Sequence, residues 1–494
     1  MAVPKVMGVE TEYGIISKGG EDSNPILASS ILINSFASPR LKRVRWDYDE
    51  ESPLRDARGF DRPGGEIFEA DGSLISVILE NGARYYVDHA HPEYCTPECA
   101  NARDLVIHDK AGEAVLAASL KTAAETLPAG ERILVYKNNS DGKGNSYGCH
   151  ENYMVSRATP FGNLVKTLVP FFVSRQIFTG SGKLGSEGPS SDVDVKYQIS
   201  QRSDFFEVEV GLETTFKRPI INTRDEPHSD PDKYRRLHVI IGDANMSEVA
   251  TFLKVGCTAI VLRMIEDEFI TGDFGLEDAV GALKTVSRDP TCRAKIRLAG
   301  SRTITAVDLQ WEFLGWAKKY LAGQDDDQVT EEVMARWEEV LNGLESDPMT
   351  LDRQLDWVAK FKVIDAYQQR QGVDWNDPRL ALVDLQYHDV RPEKGVYHKL
   401  LKDGRMDTIA SESEIQHALS NPPNDTRAYF RGSVLKKFSS DVTAASWDSM
   451  MFDTGADSLK KVSMMEPLRG TRETTGELIA TAQTSAELLE GLEG

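Results

Sequence analysis

Apolar and polar residues alternate along several short stretches of the chain, the period of a half-buried strand. KVMGVETEYG (5–14), ARYYVDH (83–89), RILVYKN (132–138), FFEVEVG (205–211) and RLHVIIGD (236–243) carry this pattern. Elsewhere apolar residues recur every three or four positions. That period predicts helices over 102–127, 246–269 and 331–346, the last amphipathic with paired charges on its outer side. Strands and helices are interspersed from end to end, which fits a mixed α/β or an α+β architecture. No repeat and no long low-complexity tract is visible.

Two segments break the periodicity. WDYDEESPLRDARGFDRPGGEIFEADGS (46–73) is charged and punctuated by Gly and Pro, and it is longer than a typical connection, which marks it as functional or mobile. NPPNDTRAYFRG (421–432) reads as a second loop, with its Pro pair stopping the preceding helix. A domain boundary is expected there, leaving a large unit over 1–425 and a small C-terminal unit over 426–494.

Composition narrows the function classes. The 494 residues carry 57 Lys+Arg against 78 Asp+Glu, a net charge of −21, and 40% are hydrophobic. Such a chain can bury a large core. The acid excess argues against a nonspecific nucleic-acid binder, which needs Lys and Arg to neutralise phosphates. No apolar run approaches the about 18 residues that span a bilayer, so no membrane helix is expected. The start MAVPKVMGVETEYG lacks the basic-then-apolar form of a secretory signal, and five Cys make no disulfide framework. A cytoplasmic protein fits these features best.

Candidate chemistry collects on the strands. Glu10 and Glu12, two apart, share one face of the first strand. Paired carboxylates repel unless a cation separates them, and Mg²⁺ bridged to phosphates is the usual resolution; a solvated edge-strand face is the alternative. Over 81–94, alternation puts Arg84, Tyr86 and Asp88 on one face, with Tyr85, Val87 and His89 on the other. Glu93 is expected just past that strand, on a Pro-kinked turn. Arg236 and His238 share a face of a later strand, and a Gly-rich turn leads into His150 and Glu151. His89, His91, Cys95 and Cys99 offer zinc-type ligands, but HxH with CxxxC is not a familiar structural zinc pattern. TGSGKLGS (179–186) fails as a phosphate loop, because Leu184 stands where Ser or Thr binds magnesium. Its backbone amides remain candidates for a phosphate or peptide contact. Glu207 and Glu209 pair on another strand face without an assignable role.

GVETEYG (8–14), NGARYYVDHAHPEY (81–94), KNNSDGKGNSYGCHENY (137–153), IINTRDEPHSDPDKYRRLHVIIGDANMSE (220–248) and WDSMMF (447–452) resemble the Pup ligase/depupylase family. That family is related to carboxylate–amine ligases of the glutamine synthetase type. The resemblance runs nearly end to end, and RWDYDEESPLRDARGFD (45–61) is similar to the depupylase branch. It implies an α+β, glutamine synthetase-like large domain with a curved, mainly antiparallel sheet flanked by helices. It implies ATP and Mg²⁺ as cofactors, and Pup (prokaryotic ubiquitin-like protein) and pupylated proteins as partners; the oligomeric state is left open by the sequence, with a monomer expected. The implied reaction is hydrolysis of the isopeptide bond between the C-terminal glutamate of Pup and a substrate lysine. Deamidation of a C-terminal glutamine of Pup shares that chemistry. The rival is the ligase reaction, which forms the same bond with ATP consumption.

By the same resemblance Glu10, Glu12, Tyr86, Glu93, His150 and His238 are matched to the metal region. Arg84, Thr96 and Trp447 are matched to nucleotide contacts, and Asp88 to the catalytic aspartate. An acidic partner such as Pup would need a local basic groove, for which Arg202, Lys217, Arg218, Lys233, Arg235 and Arg236 are candidates.

Overall fold

The computed structural model describes residues 1–20, 24–37, 41–48, 51–59, 75–187, 195–324 and 327–493. Of the long loop expected over 46–73, positions 49–50 and 60–73 lie outside the described residues. The fold class is α+β.

Its centre is a six-stranded sheet in which every neighbouring pair is antiparallel. The strands are β1 (Met7–Glu12), β2 (Ser76–Ile78), β3 (Arg84–Asp88), β4 (His91–Cys95), β5 (Cys149–Ser156) and β6 (Tyr234–Val239). Across the sheet they run β6-β5-β1-β4-β3-β2. Met7, Val9 and Thr11 of β1 are buried while Gly8, Glu10 and Glu12 are half-buried, as alternation requires when one face packs on helices.

The packed face meets two groups of helices. Val9, Tyr153, Leu237 and Val239 join a core with α3 (Phe161–Thr179), α4 (Glu248–Glu266) and α5 (Gln328–Ser346). Tyr85, Val87 and Tyr94 join a second core with α1 (Pro25–Phe36), α2 (Ala102–Ala124) and α6 (Ala428–Phe438). Helix α2 starts at Asn101, whose side chain accepts from the Asp104 amide, and α4 at Ser247, which accepts from the Ala250 amide. Among the described residues no helix is long and apolar enough to cross a membrane.

Several local expectations are corrected. Glu93 stands in the middle of β4, not on a turn: two residues, His89 and Ala90, suffice to reverse the chain, so Pro92 and Glu93 pair with Val87 and Tyr86. The segment 428–432 opens α6 rather than continuing a loop. Strand β6 ends at Val239, short of the expected 243. Helix α3, unmarked by period because its last eleven residues are all buried, carries Pro170 inside it.

The 426–494 segment docks by charge as well as by core contacts. Arg427 Nε donates to Glu98 Oε1 at 2.8 Å, and Arg431 pairs with the same carboxylate while donating to Gly82 O at 3.0 Å. This seats the strand Ser449–Phe452, and Trp447 before it, beside the sheet.

Candidate active site

Residues paired across neighbouring strands share a face, so the register lays out the polar face directly. One row holds His150, Glu10, Cys95 and Arg84; the next holds Glu12, Glu93, Tyr86 and Ser76. His238 and Asn152 form a row on the other side of His150. Nine of the ten predicted site residues lie on β1, β3, β4, β5 and β6 or one residue beyond them, and Trp447 arrives from the C-terminal segment.

Two groups of ligand-type atoms gather on this face, each within 4.8 Å of one another: Glu10, His150 and His238, and Glu12, Asp88 and Glu93. In the first, Glu10 Oε1 accepts from Asn152 Nδ2 at 2.8 Å, and Glu10 Oε2 lies 3.4 Å from His150 Nδ1. Burial would raise the Glu10 carboxyl, but the His150 hydrogen bond and the charge of Arg236 hold it well below the usual carboxylate range. His238 is buried, which pushes it well below the usual histidine range and leaves it neutral, with Nδ1 2.9 Å from Asn152 Oδ1.

The second group is all carboxylate. Burial, then the charges of Asp88, Glu12 and Glu10, push Glu93 well above the usual range. A cluster that drives one of its own carboxylates toward protonation is short of a cation. Oxygen donors at this spacing are the set a hard divalent ion such as Mg²⁺ takes, so these residues fit it. The Tyr86 phenol, raised by burial and by Glu93, stands against them from β3.

Asp88 ends β3 on a different footing. Burial opposes its charge, but His89 Nδ1 lies 2.8 Å from Asp88 Oδ2 and keeps the carboxyl below its usual range. The same contact pushes His89 up to about 9. An ionised carboxylate can only accept, so His89 Nδ1 carries the proton of this bond.

Two clefts open over the face. One, with about 620 Å³ of empty space, is lined by Gly8, Val9, Thr96, Met154, Pro227 and Trp447 among others. Thr96 Oγ1 accepts from the Val9 amide at 3.0 Å, which fixes it against β1. The other is lined by Tyr48, Glu51, Arg84, Tyr86, Asp88 and His89. Glu10, Cys95, His228, Arg236 and Trp447 border both, so the clefts meet above Glu10. Arg84 lies between the Trp46 and Tyr86 rings, 3.8 and 3.9 Å from their centroids, and therefore lines the second cleft rather than the one that holds Thr96.

Other sequence candidates fall elsewhere. The zinc-type set His89, His91, Cys95 and Cys99 is not among the metal-competent groups of the described residues. Glu151 points into the core, where Arg175 of α3 grips it at 2.5 and 2.9 Å. In the 179–186 loop the amides of Ser181, Gly182, Leu184 and Gly185 are all bonded internally, and Lys183 pairs with Glu187. Those four amides are therefore not free to meet a phosphate. Glu207 and Glu209 face solvent.

The expected basic groove does not form as one surface. Arg202 is buried and donates to Ile240 O at 2.5 Å, Arg235 is buried against Thr159 O, and Lys233 pairs with Glu466. Arg236 belongs to the site itself, donating to Asn152 Oδ1 at 2.7 Å and to Glu226 O at 2.7 Å. Asn152, His228 and Glu51 were not singled out from the sequence. Alternation along Cys149–Ser156 would have found Asn152; the other two come from loops.

Comparison with known proteins identifies the family. The family model described as Pup-ligase protein matches residues 5–451. A protein of Acidothermus cellulolyticus named depupylase is 53% identical over 504 residues, covering 99% of both chains. One of Mycolicibacterium smegmatis named Pup deamidase/depupylase is 50% identical over 497 residues, also covering 99% of both. The crystal structure of Pup in complex with its ligase PafA superposes with a TM-score of 0.81 at 33% identity, over 99% of this chain and 95% of that one. A match of this extent in sequence and in fold has one meaning: the chain belongs to the Pup-ligase family.

Proposed function

We propose that the chain is an ATP- and Mg²⁺-dependent hydrolase that cleaves the isopeptide bond between the C-terminal glutamate of Pup and a substrate lysine, and that deamidates a C-terminal glutamine of Pup. The observation that carries the reading is an ionised Asp88 at the end of β3, lining the second cleft and grouped with the carboxylates of Glu12 and Glu93. Identity of 50% or more along the whole length to relatives named depupylase supports hydrolysis over ligation. A PafA structure in complex with ADP, 36% identical, supports a nucleotide in the cleft beside Thr96 and Trp447. We place Glu10, Glu12 and Glu93 as the metal ligands, with Tyr86, His150 and His238 around them and Arg84 on the phosphate side. The division at 425/426 puts Trp447 in a C-terminal unit that completes this site, and the enzyme acts as a monomer.

When bound, magnesium would supply positive charge to the phosphates and to a developing oxyanion. The rest of the chemistry belongs to side chains. Asp88 acts on the γ-carboxamide carbon, as nucleophile to give an anhydride that water opens, or as general base that takes a proton from water. The lysine amine, or ammonia in deamidation, leaves. Amide hydrolysis in dilute water is downhill, so no ATP is consumed per bond cleaved.

Incubation with a Pup–protein conjugate and Mg·ATP, followed by intact mass, tests the reading. Free substrate and Pup ending in glutamate are expected, with less than one ADP formed per bond. Conjugation of added Pup with stoichiometric ADP would assign the ligase reaction instead. Asp88→Asn should lose at least about a thousandfold in kcat while ATP affinity, read by calorimetry, is unchanged.

A further inference from the structure

The turn that carries Asp88 is built against its own backbone preference. Only His89 and Ala90 connect β3 to β4, and His89 has φ of 50°. The first position of a two-residue hairpin with positive φ is ordinarily glycine, because a Cβ is strained there. A strained residue at a cleft is worth asking what its side chain does. Here the imidazole lies 2.8 Å from Asp88 Oδ2. Among the described residues it is the one side chain hydrogen-bonded to that carboxylate. The ring is otherwise open to the cleft, with its side chain 76% exposed, so no packing requirement accounts for a histidine at this position.

We propose that His89 is a positioning residue for the reaction, its Nδ1–H clamping Asp88 Oδ2 so that the other carboxylate oxygen is left to act on the substrate carbonyl. Without the clamp the short Asp88 side chain rotates more freely, and fewer encounters find it aligned. Because the clamp acts on Asp88 and not on substrate, it bears on kcat rather than on KM. The inference rests on Asp88 being the catalytic group.

Two variants separate the side chain from the strain of the backbone. His89→Gly removes the imidazole and eases the positive φ, so its thermal midpoint should equal or exceed that of the wild type. Its kcat should fall about tenfold or more, the size expected for one lost charged hydrogen bond, with KM within about twofold. His89→Asn tolerates the same φ and keeps an N–H donor, so it should recover much of the loss. Wild-type turnover by His89→Gly would overturn the proposal. Equal loss in both variants would overturn it too, because the ring itself would then be required. The contact is also read without activity: the His89 Nδ1 proton resonance of the wild type should be displaced in Asp88→Ala, and an unchanged resonance counts against the clamp. If the resonance moves as expected but the wild type releases no Pup, the functional reading fails, and the role assigned to the clamp fails with it.

Discussion

Glu10 and Glu93 occupy the same sheet face on adjacent strands, yet their acidities are driven in opposite directions. Both are buried. Glu10 is answered by Asn152, His150 and Arg236, whereas Glu93 has only the neutral donors Tyr86 and Cys95 against the like charges of Asp88, Glu12 and Glu10. The difference predicts which carboxylate gains most from a cation. Glu93→Gln should weaken magnesium binding by about tenfold or more, while its metal-free form unfolds at or above the wild-type temperature because a like charge is gone. Thermal unfolding with and without Mg²⁺ checks both halves. Of these residues the sequence made Glu10, Glu12 and the Arg84–Tyr86–Asp88 face legible, because a strand alternates without regard to what covers it. It did not make Glu93's environment legible, because Pro92 reads as a turn residue until the two-residue hairpin is seen.

At the scale of elements, α2 sets the position of β4. Gly112 of α2 lies so close to Tyr94 that a Cβ would come within 2.5 Å of the ring. Tyr94 is fully buried, with its hydroxyl accepting from Asn81 at 3.0 Å, so it has little room to retreat. Gly112→Ala should therefore push β4, and Glu93 with it, off register with β1, costing about 1–3 kcal/mol of stability as overpacking does. Chemical denaturation measures that cost, and a drop in magnesium affinity would show that the shift reaches the site. Helices α2, α4 and α5 were readable from their period. Helix α3 was not, since a helix buried on nearly every side has no polar face to produce one.

Across the whole molecule, one carboxylate ties the C-terminal segment to the sheet. Glu98 lies under Arg427 and Arg431, and although burial opposes its charge they hold its carboxyl down to about 2. Its folded value is below its unfolded one, so the stabilisation is present in full above the usual carboxylate value, near 4.5. It is lost as pH falls from there toward about 2. Glu98→Gln should abolish that part of the acid sensitivity and loosen 426–494, costing about 3–5 kcal/mol at neutral pH because two buried guanidinium groups lose their partner. Thermal unfolding as a function of pH reads the first effect, and protease cutting near 426 the second. The same scale decides how an acidic partner is met. With a net charge of −21, Arg202, Arg235 and Lys233 are already engaged within the fold, so these three do not contribute to a shared basic surface.

What the sequence determined by itself was local and periodic. It set the strand faces that carry Glu10, Glu12, Arg84, Tyr86 and Asp88, and the motifs that place the chain in its family. Only the tertiary structure decided what depends on the pairing of distant segments. The register of β1 against β4 and β5 turned scattered carboxylates and histidines into two clusters. The docking of α6 through Glu98 brought Trp447 to the meeting of the clefts. Burial separated Glu151 and Arg202, which serve the core, from Glu10 and Arg236, which serve the site. Alternation tells a side chain which face it takes, but the neighbours on that face come from residues dozens to hundreds of positions away, and they set its charge.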